Sequence, residues 1–340
     1  MVHVTPPTGP RVAVVLLNWN GWGDTIACLE SLMRLTHRPV EVILVDNGST
    51  DGSVAHIRAW AAGRLDVLAD SAALAHLVTP ACPKPVEIAA PADPAAPAAP
   101  VTLIEIGQNL GFAGGNNVGL RIALERKVDY VWVLNTDCVV APDSLSRLLD
   151  RMAQDATIGM CGACLCHYHA PEVLQEAGGC AYFPALGLAR RLAADRPLSD
   201  PPDWAAMERR LGYVSAAACL VSAEFLTEVG EMSEAYFLYG EEIDWALRAR
   251  GRFKLAIAPQ ARVWHRKGAA TGSKSLSTAR SVSSSYYLWR ARRRVTARFH
   301  PWSLPILMAL GVAAAGANAL RGRRKAAVAI WRGVRDRPWG

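Results

Sequence analysis

The sequence lacks the dense cysteine pattern of a disulfide-stabilised protein, and its first residues do not have the pattern of a secretion signal. Eight cysteines among 340 residues do not make a disulfide framework. The first residues, MVHVTPPTGPR, contain no positively charged segment followed by an apolar one, so no signal peptide is predicted. We therefore expect a cytoplasmic protein whose cysteines are free thiols.

Acidic residues are nearly absent from the C-terminal part of the chain. From 290 to 340 there is one acidic residue, Asp336, against twelve basic ones, whereas residues 1–289 hold 25 basic and 29 acidic residues. The whole chain is 51% hydrophobic and 20% charged, which allows a sizeable core and excludes wholesale disorder. The concentrated positive charge predicts a polyanionic partner, either a membrane surface or nucleic acid.

The chain also lacks an apolar run of the length that a clean membrane span needs, about 20 residues. Leu304–Leu320 is uncharged for 17 residues but contains Pro305 and Asn318, and basic residues flank it on both sides. We expect a helix that lies in an anionic bilayer surface, with a helix packed on the body as the alternative. No nucleic-acid recognition fold surrounds the arginines and few aromatic residues lie among them, so no nucleic-acid partner is expected.

Short Val- and Leu-rich runs alternate with segments of helical spacing along the first half of the chain. Such runs, bounded by turn residues, are typical of strands buried on both faces of a parallel sheet. The predicted strands are Val12–Leu17, Val40–Val45, Val101–Ile106, Asp129–Leu134, Gly212–Val221, Phe253–Ala258 and Arg262–Trp264. The predicted helices are Asp24–Leu35, Ser53–Ala61, Val118–Arg126, Pro142–Met152, Ala223–Val229, Glu241–Arg250 and Tyr286–Phe299, and Asn109–Asn117 is predicted to be a glycine-rich turn. The order predicts an α/β fold with a mostly parallel, doubly wound sheet.

Residues 62–100 interrupt this alternation. Ala89–Pro100 holds four prolines in twelve positions, which excludes both a helix and a central strand. We interpret this stretch as an exposed, semi-extended insertion with little function of its own.

Acidic and amide residues recur where successive predicted strands end. They are Asn18, Asn20, Asp46, Asn109, Asn135 and Asp137. In an open parallel sheet this edge is where ligands bind, and oxygen-bearing side chains there suit a metal ion, a ribose or a base edge. Asn135 and Asp137 are two positions apart and can face one hard cation, Mg²⁺ or Mn²⁺, with open positions for a diphosphate. An N-x-D sequence alone is usually a turn.

Two further clusters have structural alternatives. Glu241, Glu242 and Asp244 open a predicted helix, where carboxylates are favoured by the helix dipole and Asp244 can pair with Arg248.

A run of cysteines and histidines suggests a zinc site at first. The run alternates like a strand, with cysteine as a small apolar residue, and we favour the strand. This run consists of Cys161, Cys164, Cys166, His167 and His169, with Cys180 nearby.

Five stretches, taken in order, resemble a family 2 glycosyltransferase of the GT-A fold, and more narrowly its rhamnosyltransferase-like branch. They are VVLLNWNG, VDNGSTDGS, NLGFAGGNNVGL, VLNTD and FLYGEEIDWALRARG…VWH, within Arg11–Gly272. The resemblance implies an inverting, metal-dependent transfer of a sugar from dTDP-L-rhamnose or a UDP-sugar to a lipid-linked or cell-surface glycan. It also implies an enzyme peripherally associated with the inner face of the cell membrane, where such an acceptor resides.

The resemblance implies a role for individual residues of the donor site. Asp46, with Trp19 and Asn20 beside it, would bind the base or ribose of the nucleotide. The phosphates and sugar of the donor would be lined by Asn109, Gly111, Asn117 and Asn135. Asn135 replaces the first Asp of the family's D-x-D motif, so that motif offers the metal one carboxylate fewer.

The same resemblance implies a metal centre and a general base. Asp137 and His265 would hold Mg²⁺ or Mn²⁺, which stabilises the charge on the departing diphosphate. The second member of the Glu241–Glu242 pair would be the base, although the family usually has Asp there and the assignment between the two stays open. Asp244 would be structural or would hold the acceptor.

These expectations divide the chain into a tail of residues 1–10, a catalytic domain of residues 11–272 with the Ala/Pro-rich insertion at about 84–100, and a basic helical membrane-associating region of residues 273–340. Two other functions compete with the transferase. A nucleotidyltransferase would need a Gly-rich, basic phosphate loop after the first strand, and residues 18–23 lack one. A catalytically silent, membrane-associated nucleotide-sugar-binding or scaffolding protein remains the alternative, which donor hydrolysis in the presence of Mn²⁺ would exclude.

Overall fold

The computed structural model describes residues 9–67, 69–90, 99–266 and 281–339. Within these residues, ten strands form one large sheet and three strands form a smaller one. The strands are β1 (Val12–Asn18), β2 (Val40–Asp46), β3 (Ile88–Ala89), β4 (Val101–Glu105), β5 (Tyr130–Asn135), β6 (Cys138–Val140), β7 (Ile158–His167), β8 (Ala170–Ala177), β9 (Gly179–Phe183), β10 (Leu188–Arg191), β11 (Tyr213–Val214), β12 (Ala218–Ser222) and β13 (Lys254–His265).

The helices of the described residues alternate with the strands of the first half and dominate the C-terminal part. They are α1 (Trp22–Leu32), α2 (Ser53–Ala61), α3 (Gly111–Glu125), α4 (Ser144–Ala153), α5 (Trp204–Arg209), α6 (Ala223–Val229), α7 (Glu241–Ala249), α8 (Val282–Phe299), α9 (Leu304–Leu320) and α10 (Arg324–Val334). The bounds predicted for α2, α6 and α9 agree with the structure.

The large sheet has the order β3-β4-β2-β1-β5-β12-β7-β13-β6, and β8 pairs with β7. The pairs from β3 to β5 are all parallel, and β13 is parallel to β7, whereas β12 is antiparallel to both of its neighbours. Alternate residues of β1 enter two different cores, Val14 and Leu16 on one face and Ala13 and Val15 on the other. The predicted α/β fold with a mostly parallel sheet buried on both faces is therefore confirmed.

The predicted glycine-rich turn at Asn109–Asn117 is wrong, because α3 begins at Gly111 and includes most of it. The glycines instead allow the helix to lie close to β1. A Cβ atom on Gly119 would lie 2.6 Å from Cγ1 of Val15, and a Cβ atom on Gly115 would clash with the side chain of Leu17. The glycines therefore serve close packing of a helix on a strand.

Two other strand predictions need correction. The strand predicted at Gly212–Val221 is two strands, β11 and β12, which belong to different sheets. The strands predicted at Phe253–Ala258 and Arg262–Trp264 form one strand, β13, with a shift of register between Ala258 and Arg262. A shift of this kind inserts extra residues without ending the strand, so the sequence pattern suggests two elements where one exists.

Most of the cysteine-rich run lies in strand β7, as the strand interpretation predicts. Cys161, Cys164 and Cys166 are buried free thiols within it. Nη1 of Arg262 donates to Sγ of Cys164 over 3.0 Å, and the imidazole of His167 lies 2.9 Å from Asp195.

Residues between α2 and β4 contribute to the core and to the sheet edge. Leu74, Leu77 and Val78 are buried against the α1 side of the sheet. The fully buried carboxylate of Glu30 accepts hydrogen bonds from Trp60, Cys82 and Lys84. Of the predicted insertion, residues 88–89 form the edge strand β3, whereas residues 91–98 lie outside the described residues.

The three C-terminal helices form one bundle around a small core of Trp289, Leu307, Ile330 and Val334. A Cβ atom on Gly333 of α10 would lie 2.5 Å from the carbonyl oxygen of Tyr286, so α8 and α10 cross closely there. The bundle packs against the rest of the protein through α8. Ala291 and Val295 of α8 form a second apolar cluster with Tyr236. The predicted boundary at 272–273 lies outside the described residues.

The helix α9 has one face against the bundle and one face exposed. Leu307, Gly311 and Ala315 are buried, and α9 with its preceding turn, Pro301–Leu320, is long and apolar enough to cross a membrane by length and composition. The outward face exposes large apolar side chains, namely Trp302, Ile306, Leu310, Val312 and Leu320.

Candidate active site

The ends of β1 and β2 hold a rigid network around Asp46. Its side chain is buried, with Oδ2 accepting from Nδ2 of Asn18 over 2.7 Å and Oδ1 accepting from the backbone N–H of Ser49 over 2.9 Å. The hydroxyl of Thr25 donates to Oδ1 of Asn18, which fixes the amide orientation. The carboxylate is thus held at the carboxyl edge of the sheet, where the sequence predicts it.

The turn after β1 carries an exposed aromatic ring, one residue after Asn18. Asn20 has a positive φ of 52°, and its side-chain oxygen accepts from the backbone N–H of Thr50. Its own backbone N–H donates to the hydroxyl of Ser49, the residue that also contacts Asp46. The preceding Trp19 is 40% exposed, so its ring is free to stack on a planar group.

Asn47, next to Asp46, ties this edge to the start of α3. Its amide oxygen accepts from the N–H of Leu110, and its amide nitrogen donates to Oδ1 of Asn109 over 3.1 Å. Gly111 has a φ of 77°, and a Cβ atom there would lie 2.5 Å from the carbonyl oxygen of Phe237. Glycine is therefore required at the point where α3 meets the loop before α7.

Asn117, a predicted donor residue, lies deeper in the protein than Asn109. Its side chain is buried, donates to the carbonyl of Met232 and to Glu234, and accepts from the N–H of Met232. Both the nitrogen and the oxygen of its amide form hydrogen bonds, and these bonds connect α3 to the segment before α7. This placement gives it a role in holding the loop that carries Phe237.

Asp137 and His265 lie far apart in the sequence but come together in the structure. Oδ1 of Asp137 lies 3.1 Å from Nε2 of His265, and both side chains are 11% exposed. Nδ1 of His265 lies 2.7 Å from Oε1 of Gln175, a hydrogen bond that places a proton on Nδ1 and directs Nε2 towards Asp137. Burial raises the pKa of Asp137, but His265 and Arg266 outweigh it, so that the pKa is lowered overall.

Ligand atoms of Asp137, His265 and Cys138 all lie within 4.8 Å of one another. The buried thiol of Cys138 points to the carbonyl oxygen of Ala217 at 3.6 Å, and a thiol is a soft ligand. The carboxylate suits Mn²⁺ or Mg²⁺, which keep other positions for water or a diphosphate, and the imidazole nitrogen favours Mn²⁺ over the harder Mg²⁺. Asn135 ends β5 half-buried, two residues before Asp137.

A charged layer that the sequence did not suggest lies around this pair. Arg266 donates from its backbone to the carbonyl of Asp137 over 3.0 Å, and its guanidinium pairs with Asp24 at 3.1 Å and Asp70 at 2.5 Å. The guanidinium also lies 4.0 Å from the ring centroid of Tyr168, whose hydroxyl donates to Asp70. Arg266 directly follows His265 in the sequence, and this adjacency is the sequence feature that points to Arg266.

Glu241 and Glu242 begin α7 behind Gly240, whose φ is 88°. Oε1 of Glu242 accepts from the backbone N–H of Ala216 over 2.7 Å, and Oε2 of Glu241 is buried with no hydrogen-bond partner among the described residues. Burial raises the pKa of both carboxyls, and the charge of Glu242 adds to the rise for Glu241. A carboxylate with a raised pKa can accept a proton near neutral pH.

Asp244 is fully buried and belongs to the scaffold. It accepts from Nε of Arg248 and from Nη1 of Arg298, both over 2.7 Å, and from the hydroxyl of Tyr236. Arg298 lies on α8, so this carboxylate joins the helix of Glu242 to the C-terminal bundle.

Two pairs of adjacent residues bring the carboxylate pair and the Asp137 centre together. Ala216 donates to Glu242, while the carbonyl of Ala217 accepts from the backbone N–H of Asn135 over 3.0 Å. Gln175 bonds His265, while the adjacent Glu176 is close enough to raise the pKa of Glu242. The Asp46 edge joins the same region through Asn47, Gly111 and Phe237. These contacts connect the carboxylate pair, the Asp137 centre and the Asp46 edge to one another.

A family model described as "Glycosyltransferase like family 2" matches residues 10–283 of the chain. A relative from Mycobacterium tuberculosis, N-acetylglucosaminyl-diphospho-decaprenol L-rhamnosyltransferase, is 26% identical over 290 residues, covering 78% of this chain and 79% of the relative.

Solved structures give the same fold. The mannosyltransferase PcManGT from Pyrobaculum calidifontis, in complex with GDP-Man and Mn²⁺, superposes with a TM-score of 0.52 at 16% identity, covering 99% of this chain and 90% of that chain. A fragment of S. aureus TarS in complex with UDP-GlcNAc gives a TM-score of 0.51 at 13% identity, covering 88% and 70%. The predicted GT-A fold and family resemblance are thereby confirmed.

Proposed function

The chain belongs to glycosyltransferase family 2, and from this premise we propose that it moves a sugar from a nucleotide-diphosphate donor to a hydroxyl of a lipid-linked glycan, with inversion at the anomeric carbon. The observation that carries the proposal is the turn at Ala216–Ala217. The backbone N–H of Ala216 donates to Glu242, and the carbonyl of Ala217 accepts from the backbone N–H of Asn135, two residues before Asp137. The same turn therefore positions both the proposed base and the segment that carries the candidate metal ligand Asp137.

The nucleoside of the donor would bind at the end of β1 and β2. Asp46 supplies a fixed acceptor for ribose hydroxyls or a base N–H, and the exposed ring of Trp19 can stack on the base. Asn20 fixes the turn between them. We propose dTDP-L-rhamnose or a UDP-sugar as donor, since the Mycobacterium tuberculosis relative is named as an L-rhamnosyltransferase and the TarS structure contains UDP-GlcNAc.

The diphosphate and sugar would lie between the start of α3 and Asp137, along Asn109, Gly111 and Asn135. Asp137 and His265 would hold Mg²⁺ or Mn²⁺, which supplies positive charge for the departing nucleoside diphosphate. Gln175 holds the imidazole so that Nε2 faces Asp137. The first Asp of the usual D-x-D motif is Asn135 here, so the imidazole supplies the second protein ligand.

Glu242 would act as the general base. The acceptor oxygen forms a bond to the anomeric carbon, the bond from that carbon to the diphosphate oxygen breaks with both electrons leaving on the diphosphate, and the hydroxyl proton passes to Glu242. Attack opposite the leaving group inverts the configuration, and one base suffices for it. The buried, unpartnered Oε2 of Glu241 makes a second charge beside Glu242 costly, which favours one ionised carboxylate in the pair.

The acceptor would be presented at the cytoplasmic face of the membrane. The exposed apolar side of α9 is followed by exposed basic residues, which suits a helix lying in the surface of an anionic bilayer. These residues are Arg321, Arg323, Arg324 and Lys325. The relative from Mycobacterium tuberculosis is named for a lipid-diphosphate acceptor, which agrees with an enzyme at this location.

A thermal-shift screen of nucleotide sugars with and without Mn²⁺ tests the proposal. Wild-type protein should be stabilised by one class of nucleotide sugar, and only with the metal. Asp137→Ala should remove that stabilisation, whereas Asp143→Ala, an exposed aspartate on the α4 side, should keep it. Absence of stabilisation by any nucleotide sugar would contradict the proposal and favour a scaffolding protein.

A further inference from the structure

Three arginines of α8 converge on a single carboxylate at the end of α10. Nε of Arg290 and Nε of Arg294 lie 2.7 Å and 2.9 Å from Oδ1 of Asp336, and Nη1 of Arg293 lies 3.5 Å from Oδ2. Three positive charges thus share one negative charge. We call these four residues the arginine cluster.

The arginine cluster is partly open and has unused hydrogen-bonding capacity. Its arginine side chains are 28 to 31% exposed, so water and solutes reach them. Nε of Arg293 is buried and has no hydrogen-bond partner among the described residues. Each guanidinium carries five N–H donors, and a single carboxylate satisfies few of them.

The arginine cluster lies beside the loop that leads to the proposed base. Arg294 donates to the carbonyl of Ala235, and Arg290 and Arg294 line a small crevice with Phe237 and Tyr287, whose rings stack at 4.8 Å. The carbonyl of Phe237 accepts from the N–H of Phe112 at the start of α3, so this loop links the crevice to the proposed donor site.

The other side of the arginine cluster adjoins the helix with the exposed apolar face. Val334, two residues before Asp336, packs in the bundle core with Leu307 of α9. A Cβ atom on Gly311 of α9 would clash with Val334, so α9 and the end of α10 are in close contact. The cluster therefore adjoins both the loop before α7 and the packed face of α9, whose opposite face is the proposed membrane surface.

We propose that the arginine cluster binds the diphosphate of a prenyl-diphosphate-linked acceptor, an inference that rests on the proposed function and deepens it. Arginine forks bind phosphate oxygens in pairs of parallel hydrogen bonds, and two phosphates carry charge that matches the surplus of the cluster. The lipid tail then follows the apolar face of α9 and the sugar reaches towards Glu242. Asp336 orients the three guanidiniums before the acceptor arrives.

Calorimetric titration of the full-length protein in neutral detergent tests this site. The probes are farnesyl diphosphate and farnesol, in EDTA so that no metal recruits phosphate elsewhere. Wild type should bind the diphosphate at least tenfold more tightly than the alcohol, and Arg290→Gln/Arg294→Gln should abolish the difference. The matched control, Arg147→Gln/Arg196→Gln, removes two arginines that pair with aspartates on other surfaces and should keep it.

Arg293→Gln is the second variant, because its 3.5 Å contact with Asp336 is the longest of the three and the other two pairs remain to hold α10. It should lower the diphosphate preference severalfold with an unchanged Tm. A preference that survives in all variants would overturn the proposal. Binding of the same variants to vesicles of phosphatidylcholine with 30% phosphatidylglycerol is measured in parallel. If the substitutions weaken vesicle binding and leave the diphosphate preference unchanged, the arginines bind lipid headgroups and the proposal is overturned.

Nucleotide-sugar stabilisation with Mn²⁺, measured on the same preparations, separates the two proposals. If no preparation is stabilised, the proposed function is wrong, and the inference about the arginine cluster, which rests on it, is wrong as well. If all are stabilised while the diphosphate preference is unaffected by the substitutions, only the acceptor site is wrong.

Discussion

The imidazole Nε2 of His265 stands 3.1 Å from the carboxylate of Asp137, at the meeting point of the end of β13 and the turn after β5. Gln175 of β8 holds the other ring nitrogen at 2.7 Å and donates its amide to the carbonyl of His265. The buried amide of Gln175 therefore sets both the rotation and the tautomer of the proposed ligand.

Gln175→Ala should weaken Mn²⁺ binding about tenfold, since a partner that orients a ligating histidine is typically worth about 10–100-fold in metal affinity. Titration of Mn²⁺ by electron paramagnetic resonance measures the effect. Gln154→Ala, an exposed glutamine at the end of α4, is the control and should bind as wild type does. Equal affinities for both variants would show that Gln175 does not support the metal.

The pH dependence of transfer should reflect the raised pKa of the carboxylate pair at the start of α7. Burial raises the pKa of Glu242 from the ordinary value of 4.5 to about 7, with Glu176 adding to the rise. A base must be deprotonated to accept a proton, so kcat/KM should increase as the pH rises through about 7 and level off above. A profile already flat from pH 5.5 upwards would mean that the base is a carboxylate of ordinary pKa, and not Glu242.

Arg298→Ala should affect catalysis through α7. Asp244 would keep Arg248 and Tyr236 but lose one charged donor at 2.7 Å, which lowers the free energy of unfolding by about 1–2 kcal/mol. Because Glu242 lies on the same helix, kcat should fall while the KM for the donor changes little. Arg298→Lys should restore part of kcat.

The control for this variant is Arg147→Ala, whose partner Asp143 is exposed. That pair should contribute less than about 0.5 kcal/mol. Chemical denaturation and steady-state kinetics measure both variants. If kcat of Arg298→Ala equals that of wild type, the C-terminal bundle does not position the base.

Gly119→Ala should destabilise the protein by about 1–2 kcal/mol, although alanine is the better helix former. The added methyl would lie 2.6 Å from Cγ1 of Val15, which is buried in β1 and stiff about its Cα–Cβ bond. Gly23→Ala, in the first turn of α1 with nothing among the described residues within 4 Å of the new Cβ, should not destabilise the protein. Equal Tm shifts of the two variants would contradict this account of α3.

The sequence predicts the first half of the fold well because its strands are buried on both faces. Continuous apolar runs such as Val12–Leu17 are determined locally, and the polar residues that follow them, Asn18 and Asp46, necessarily meet at one edge of a parallel sheet. The glycines of α3 suggest a turn because the strand that requires them, β1, lies far away in the sequence.

The support of the candidate site could not be predicted for a similar reason. Gln175 lies in a segment without clear periodicity, and nothing near it in sequence indicates that it meets His265. The arginines of α8 look like a solvated or lipid-facing stretch, yet Arg298 bonds the buried Asp244 and three others share Asp336. Such pairings depend on how the bundle docks, which no local pattern encodes.

The central claim is that Glu242 deprotonates the acceptor beside a metal centre at Asp137. The most direct test is the rate of sugar transfer by purified protein from the stabilising nucleotide sugar to a prenyl-diphosphate-linked acceptor. Wild type should turn over with Mn²⁺ and stop in EDTA, and Glu242→Gln should bind the donor normally yet transfer about 10²–10⁴-fold more slowly. The neighbouring Glu241→Gln should lose far less. Undiminished transfer by Glu242→Gln, or equal rates with and without a divalent ion, would contradict the account.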